Sequence, residues 1–107
     1  MTSGEFYNIV KLVPQPGKFN EVLEAFKLFS QYVQQNEPKT QIYYALRPDN
    51  TDELVFIEKY TDWENRKAHG ASSEFRKFAS AIGPLLARAP ETTKADFVAG
   101  FEGRSKL

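Results

Sequence analysis

Cysteine is absent from this 107-residue chain, which excludes disulfides, thiolate nucleophiles and Cys-ligated metals. Histidine occurs once, at His69, so a multi-histidine metal site cannot form within one chain. There is no excess charge of either sign: 14 basic and 14 acidic residues cancel. Nucleic acid and anionic membranes, which select for a basic excess, are therefore not expected partners. No apolar run approaches the roughly 20 residues of a membrane span. The start, Met1-Thr2-Ser3-Gly4-Glu5, lacks the basic and apolar regions of a signal peptide, so an intracellular protein is expected. Neither a Gly-rich phosphate loop nor a nucleophile elbow is present, and no bound nucleotide, flavin or other cofactor is implied.

What the chain has is an ordinary globular composition, 41% hydrophobic and 26% charged, and a length suited to one domain. Phe6 to Val13 reads as a strand, rich in β-branched and aromatic residues, and Pro14-Gln15-Pro16-Gly17 stops it. Phe19, Val22, Leu23, Phe26, Phe29 and Val33 then form one helical stripe, which Asn36-Glu37-Pro38 ends. Gln41–Arg47 and Leu54–Tyr60 read as a hairpin around the turn residues Pro48 to Asp52. Thr61-Asp62-Trp63-Glu64 is a capping-box pattern opening a second helix. Gly70 is expected to break that helix and Ser72 or Ser73 to recap it. Phe75, Phe78, Ala79, Ile82 and Leu86 continue one face until Pro90, and Thr92 to Phe101 is the fourth strand.

The order β-α-β-β-α-β is the ferredoxin-like signature, an α+β fold with a four-stranded antiparallel sheet. Residues 1–101 make the domain, and 102–107 make a flexible tail. Strand three is apolar on both parities, with Leu54, Phe56 and Tyr60 on one and Val55 and Ile57 on the other. Two helices cover only one face of such a sheet. The other is expected to pack on a second copy of the chain, as the alternative is a wet apolar patch or a twisted sheet with a few exposed aromatics.

Three stretches carry a resemblance that spans about Phe6 to Phe101. Pro16-Gly17-Lys18 leads into Phe19-x-x-x-Leu23. Glu37-Pro38 precedes a strand containing Tyr43-Tyr44. Glu58-Lys59-Tyr60-Thr61-Asp62 is followed by Ala68-His69 and then by Ser72-Ser73-x-Phe75. With these motifs the chain resembles the antibiotic-biosynthesis monooxygenase family, whose members pair as dimeric α/β barrels. The resemblance implies several possible activities: oxidation of phenols, quinols or polyketide-like aromatics by dioxygen without a cofactor, isomerisation or cyclisation on the same fold, or ligand binding by a stress-response dimer. The haem-degrading branch of the family has an asparagine on strand one, a tryptophan ending strand three and a histidine deep in the second helix. Here Tyr60 ends strand three, Trp63 follows it and the histidine comes early, which sets the chain apart from that branch.

Within this frame His69 is the side chain that titrates nearest neutrality. As a base it could deprotonate a phenol or hydroquinone; as a helix-terminal residue it could be no more than a cap, with its pKa raised by the helix C-terminus. Glu58 is an acid inside an apolar strand. End-to-end alignment of the central strands puts it near Asn8, so the two are either polar groups of a pocket or a structural pair. Phe26, Tyr44, Phe56 and Phe75 are candidate walls for an aromatic substrate, although ordinary core packing accounts for most such residues. Tyr43 and Tyr44 point to opposite faces, so at most one of them serves the pocket. Trp63 is a candidate anchor or lid. The chain ends Ser105-Lys106-Leu107, which in a eukaryote addresses a protein to the peroxisomal import receptor; elsewhere the expected location is the cytoplasm.

Overall fold

A computed structural model describes residues 4–103, so the Ser105-Lys106-Leu107 tripeptide lies outside the described residues. Along the chain come β1 (Phe6–Leu12), α1 (Phe19–Asn36), β2 (Thr40–Leu46), β3 (Leu54–Tyr60), α2 (Trp63–Ala71), α3 (Ser73–Ile82), a 3-10 turn at Gly83–Leu85 and β4 (Glu91–Ala95). The strands form one antiparallel sheet in the order β2-β3-β1-β4, the ferredoxin-like arrangement with β1 and β3 in the centre.

Strand alternation sorts the sheet into two faces. Phe6, Asn8, Leu12, Leu54, Phe56, Glu58 and Tyr60 are all buried toward the helices. The α1 stripe meets them: Val22, Phe26, Phe29 and Val33 are buried, and with Phe78, Ile82 and Leu86 they make one core. Burying each such side chain is worth about 1.5–3 kcal/mol. On the opposite face Ile9, Tyr44 and Leu46 are exposed, beside the half-buried Val55 and Ile57.

Several boundaries differ from the sequence expectation, each for a local reason. The second helix is capped by Asp62, not Thr61: the Asp62 carboxylate accepts the Asn65 N–H at 2.9 Å, while the Asn65 side-chain amide donates to Thr61 Oγ1 at 2.8 Å. Gly70 stays inside α2, and the break comes at Ser72, whose hydroxyl accepts from Phe75 N–H at 3.0 Å and donates to the His69 carbonyl at 3.1 Å. Helix α3 ends at Ile82 and not near Pro90, because Pro84 has no N–H with which to continue it. The chain then returns along the end of β1, where Gln15 N–H donates to the Leu85 carbonyl and Ala87 N–H to that of Val13.

The fourth strand ends at Ala95, well short of Phe101. It is an edge strand with β1 as its one neighbour, and Ala95 already lies opposite Tyr7, next to the first residue of β1; beyond it there is no ladder to join. The chain instead brings Glu102 back to the open sheet face. There it accepts a hydrogen bond from the Tyr7 hydroxyl and pairs with Lys59 Nζ at 2.6 Å.

Candidate active site

A cavity of about 330 Å³ lies between the sheet and helices α2 and α3. Its body is apolar, built by Val10, Leu12, Phe56, Phe75, Phe78, Ile82 and Leu86. Ala79, Gly83, Pro90 and Thr92, all exposed, rim a mouth between α3 and β4. Four polar side chains also line it: Tyr43, Glu58, Arg66 and His69. This is the composition of a small-molecule site, a hydrophobic chamber with a few placed polar groups.

His69 is 2% exposed, held by the short α2 and by the Ser72 cap behind it. Phe29, Tyr43, Tyr60 and Phe75 surround its ring at centroid distances of 5.3 to 5.4 Å. Its Nδ1 meets Glu37 Oε1 at 2.7 Å. A carboxylate can only accept there, so Nδ1 carries the hydrogen and Nε2 keeps its lone pair. Nε2 makes no hydrogen bond among the described residues. Burial lowers the His69 pKa below its ordinary value of 6.5, against a smaller upward pull from Glu37. This corrects the expected rise from a helix C-terminus: the ring is enclosed, and loss of water outweighs the helix end.

Glu37 closes α1, its N–H donating to the Val33 carbonyl at 2.8 Å. Its Oε1 also accepts from Thr40 Oγ1 at 3.2 Å, and its Oε2 is buried without a partner. Histidine and glutamate, 32 residues apart, thus form a dyad of the kind that orients a base.

Glu58 lies 5% exposed in the middle of β3, directly across from Asn8. The Tyr60 hydroxyl donates to its Oε1 at 2.7 Å. Burial raises the Glu58 pKa above its ordinary 4.5, with the Tyr60 bond and the nearby Arg66 charge pulling the other way. Burial and the same carboxyl push the Tyr43 and Tyr60 phenols upward, so both remain hydrogen-bond donors. The cavity therefore holds a histidine biased toward its neutral, basic form and a glutamate biased toward its neutral, acidic form. Such opposed shifts are what acid–base chemistry requires.

Of the residues singled out from sequence, Glu58, His69, Phe56 and Phe75 line the cavity. Asn8 and Phe26 are buried behind it, Phe26 against Phe56 at 4.3 Å between centroids. Two assignments need correction. Tyr44 is 48% exposed on the opposite face of the sheet, and Tyr43 takes the cavity position because it lies opposite Glu58 in the β2–β3 register. Trp63 is 52% exposed and packs beside Phe6 and Lys94, away from the cavity. Glu37 and Arg66 are not candidate site residues on sequence grounds. Glu37 was visible only as the residue before a proline, and Arg66 as one charge on a polar helix.

A model of the family described as "antibiotic biosynthesis monooxygenase" matches residues 5–81, which takes in β1 through most of α3 and includes Glu37, Glu58, Arg66 and His69. Comparison with curated proteins finds no match. Among solved structures, the chain is similar to a candidate antibiotic biosynthesis monooxygenase from Caulobacter crescentus, with 27% identity, a TM-score of 0.86, and 92% of this chain and 93% of that one covered. A second candidate monooxygenase, from Nitrosomonas europaea, shares the fold at 16% identity and a TM-score of 0.83, covering 92% and 95% of the two chains. A third, from Bacteroides thetaiotaomicron, aligns over 100% of both chains at 16% identity and a TM-score of 0.80. With the family match covering most of the domain and the fold agreeing throughout, this chain belongs to the antibiotic biosynthesis monooxygenase family.

Proposed function

We propose that the chain is a monooxygenase for a small phenol, hydroquinone or polyketide-like aromatic, working without a bound cofactor, with His69 as general base. The observation that carries this reading is the Glu37–His69 pair: Nδ1 is tied at 2.7 Å, and the ring lines an apolar cavity beside Glu58. In this mechanism the substrate O–H bond breaks and its proton passes to Nε2. The electron-rich anion then bonds dioxygen at a ring carbon, and the proton returns to give a hydroperoxide. Loss of water leaves a carbonyl at that carbon, so one oxygen atom ends in the product and the other in water. The protein's part is to bind, deprotonate and exclude water. Phe56, Phe75 and Phe78 supply the apolar walls, and Glu58, whose burial favours the protonated form, donates a hydrogen bond to substrate oxygen from that form.

Oxygen uptake with a panel of hydroquinones tests the reading. Uptake that falls by about 10²-fold or more in His69→Ala is expected; no uptake above that variant with any substrate refutes it. Product formed under anaerobic conditions would instead favour an isomerase or cyclase using the same acid–base pair.

The proposal extends to assembly and address. A second copy covers the open sheet face, supported by the exposed Ile9, Tyr44 and Leu46 there; a monomeric mass at micromolar concentration would refute this. Where Leu107 is the protein's last residue and the host is eukaryotic, Ser105-Lys106-Leu107 would direct import into peroxisomes, and deleting the three residues would then leave the protein in the cytosol.

A further inference from the structure

Arg66 is the charged side chain of the cavity that the acid–base scheme leaves unused. It projects from α2 into a chamber that is otherwise mostly apolar, with its Nε buried and without a hydrogen-bond partner. Among the described residues no carboxylate lies within ion-pair distance of it. Its nearest aromatic neighbour is Tyr60, with Cζ 6.0 Å from the ring centroid. Glu58 feels the charge but does not pair with it, because its Oε1 is taken by Tyr60 and burial favours its neutral form. Gly70 makes room for this placement: a Cβ there would stand 2.7 Å from Arg66 Nη1.

A guanidinium stays charged when water is removed from it, and withdrawing it from water is costly unless an anion or a full set of acceptors replaces the water. Arg66 is half-buried, and at its Nε the surrounding residues provide neither. Its planar fork matches an oxyanion, and the space beside it is the space that His69 and Glu58 also face.

We infer that Arg66 is the anion-recognition residue of this cavity, its guanidinium donating to a phenolate-type oxygen and so selecting aromatic substrates that ionise at a ring hydroxyl. The inference rests on the proposed small-phenol chemistry. It divides the labour so that His69 takes the proton and Arg66 holds the oxygen that has lost it. Arg66 would thus favour the ionised state over the neutral phenol, the differential binding that lowers a barrier.

A coloured phenol reads this without any turnover. 4-Nitrophenol is titrated with wild-type protein, and the visible absorbance of the bound anion is followed against pH. Its methyl ether, 4-nitroanisole, serves as the neutral control. The anion is expected to bind about ten- to hundredfold more tightly than the neutral phenol, which lowers the bound dye's pKa by about one to two units. Arg66→Gln should abolish that preference while 4-nitroanisole still binds, and Arg66→Lys should keep part of it. Gly70→Ala, which displaces the guanidinium without removing its charge, should reduce it. A bound-dye pKa equal in wild type and Arg66→Gln overturns the inference, as does failure of the dye to bind wild type at millimolar concentration. A circular-dichroism melt of each variant shows whether it is folded, and the Lys and Ala variants decide the question if Arg66→Gln is not. The oxygen-uptake experiment fails independently. Arg66-dependent anion preference without oxygen uptake refutes the oxygenase reading and leaves the phenolate site standing, whereas uptake without the preference does the reverse.

Discussion

Replacing Glu37 by glutamine removes one negative charge at the 2.7 Å contact with His69 Nδ1 and keeps the shape of the side chain. In the wild-type protein two effects oppose each other. Burial pushes the His69 pKa below 6.5, and Glu37 pulls it up through its hydrogen bond and its charge. Glu37→Gln removes the second effect and leaves the first, so the His69 pKa must fall further. A charge-assisted hydrogen bond is worth about 1.5–3 kcal/mol, and each pKa unit about 1.36 kcal/mol. The contact is almost closed to water, with the His69 side chain 1% exposed and that of Glu37 16%, so solvent screens little of the lost interaction and a further fall is expected. The amide can also present either oxygen or nitrogen to Nδ1, which weakens the hold on the tautomer; oxygen uptake should then drop by about ten- to hundredfold.

The assay is unusually direct because His69 is the chain's one histidine. Its ring C–H signals titrate in a proton NMR spectrum without overlap from another imidazole. The linkage also has a definite sign. A histidine whose folded pKa lies below 6.5 binds fewer protons folded than unfolded in the window between the two values. Stability contributed by neutral His69 is therefore present above 6.5 and is lost as pH falls toward the folded pKa. In Glu37→Gln that window widens downward. A His69 titration at or above 6.5 in the wild type, or a rise in Glu37→Gln, would refute the reasoning.

Glu58 has the opposite sign. Its folded pKa lies above 4.5, so the folded protein holds the extra proton and loses stability as pH rises from 4.5 toward the raised value; Glu58→Gln should flatten that decline in melts between pH 4 and 7. Ser72→Ala should cost about 1 kcal/mol by removing the cap on Phe75 N–H, seen as a lower urea midpoint with an unchanged slope. Ile9→Asp, on the open sheet face at 39% exposure, should shift the mass from dimer to monomer without lowering the unfolding midpoint of the monomer; an unchanged dimer would move the interface elsewhere.

The elements and their order were readable because each rests on neighbours a few residues away. Phe19 to Val33 could only bury its stripe as a helix, Leu54 to Tyr60 alternates as a strand, and the residues before Pro38 could not continue a helix. The antiparallel alignment that set Asn8 opposite Glu58 followed from topology alone, as did the unpartnered second face of the sheet. Where a boundary depended on which neighbour was present, local patterning was not enough: β4 stops at Ala95 because β1 runs out.

The site depended on distances that no sequence pattern contains. Glu37 and His69 meet because α1 packs on α3, with Phe29 against Phe75, so that the end of α1 reaches the end of α2, and whether Tyr43 or Tyr44 enters the cavity follows from a register shift between Thr40 and Ile42. The direction of the His69 pKa shift was decided the same way. A helix end raises it by a local field, burial lowers it by removing water, and only packing against Phe29, Tyr60 and Phe75 shows that burial is the larger effect. Sequence by itself determined the fold, the apolar wall and the identity of the one histidine. Tertiary structure decided which groups share the cavity and which proton state each prefers, because desolvation and pairing are properties of an environment assembled from distant parts of the chain.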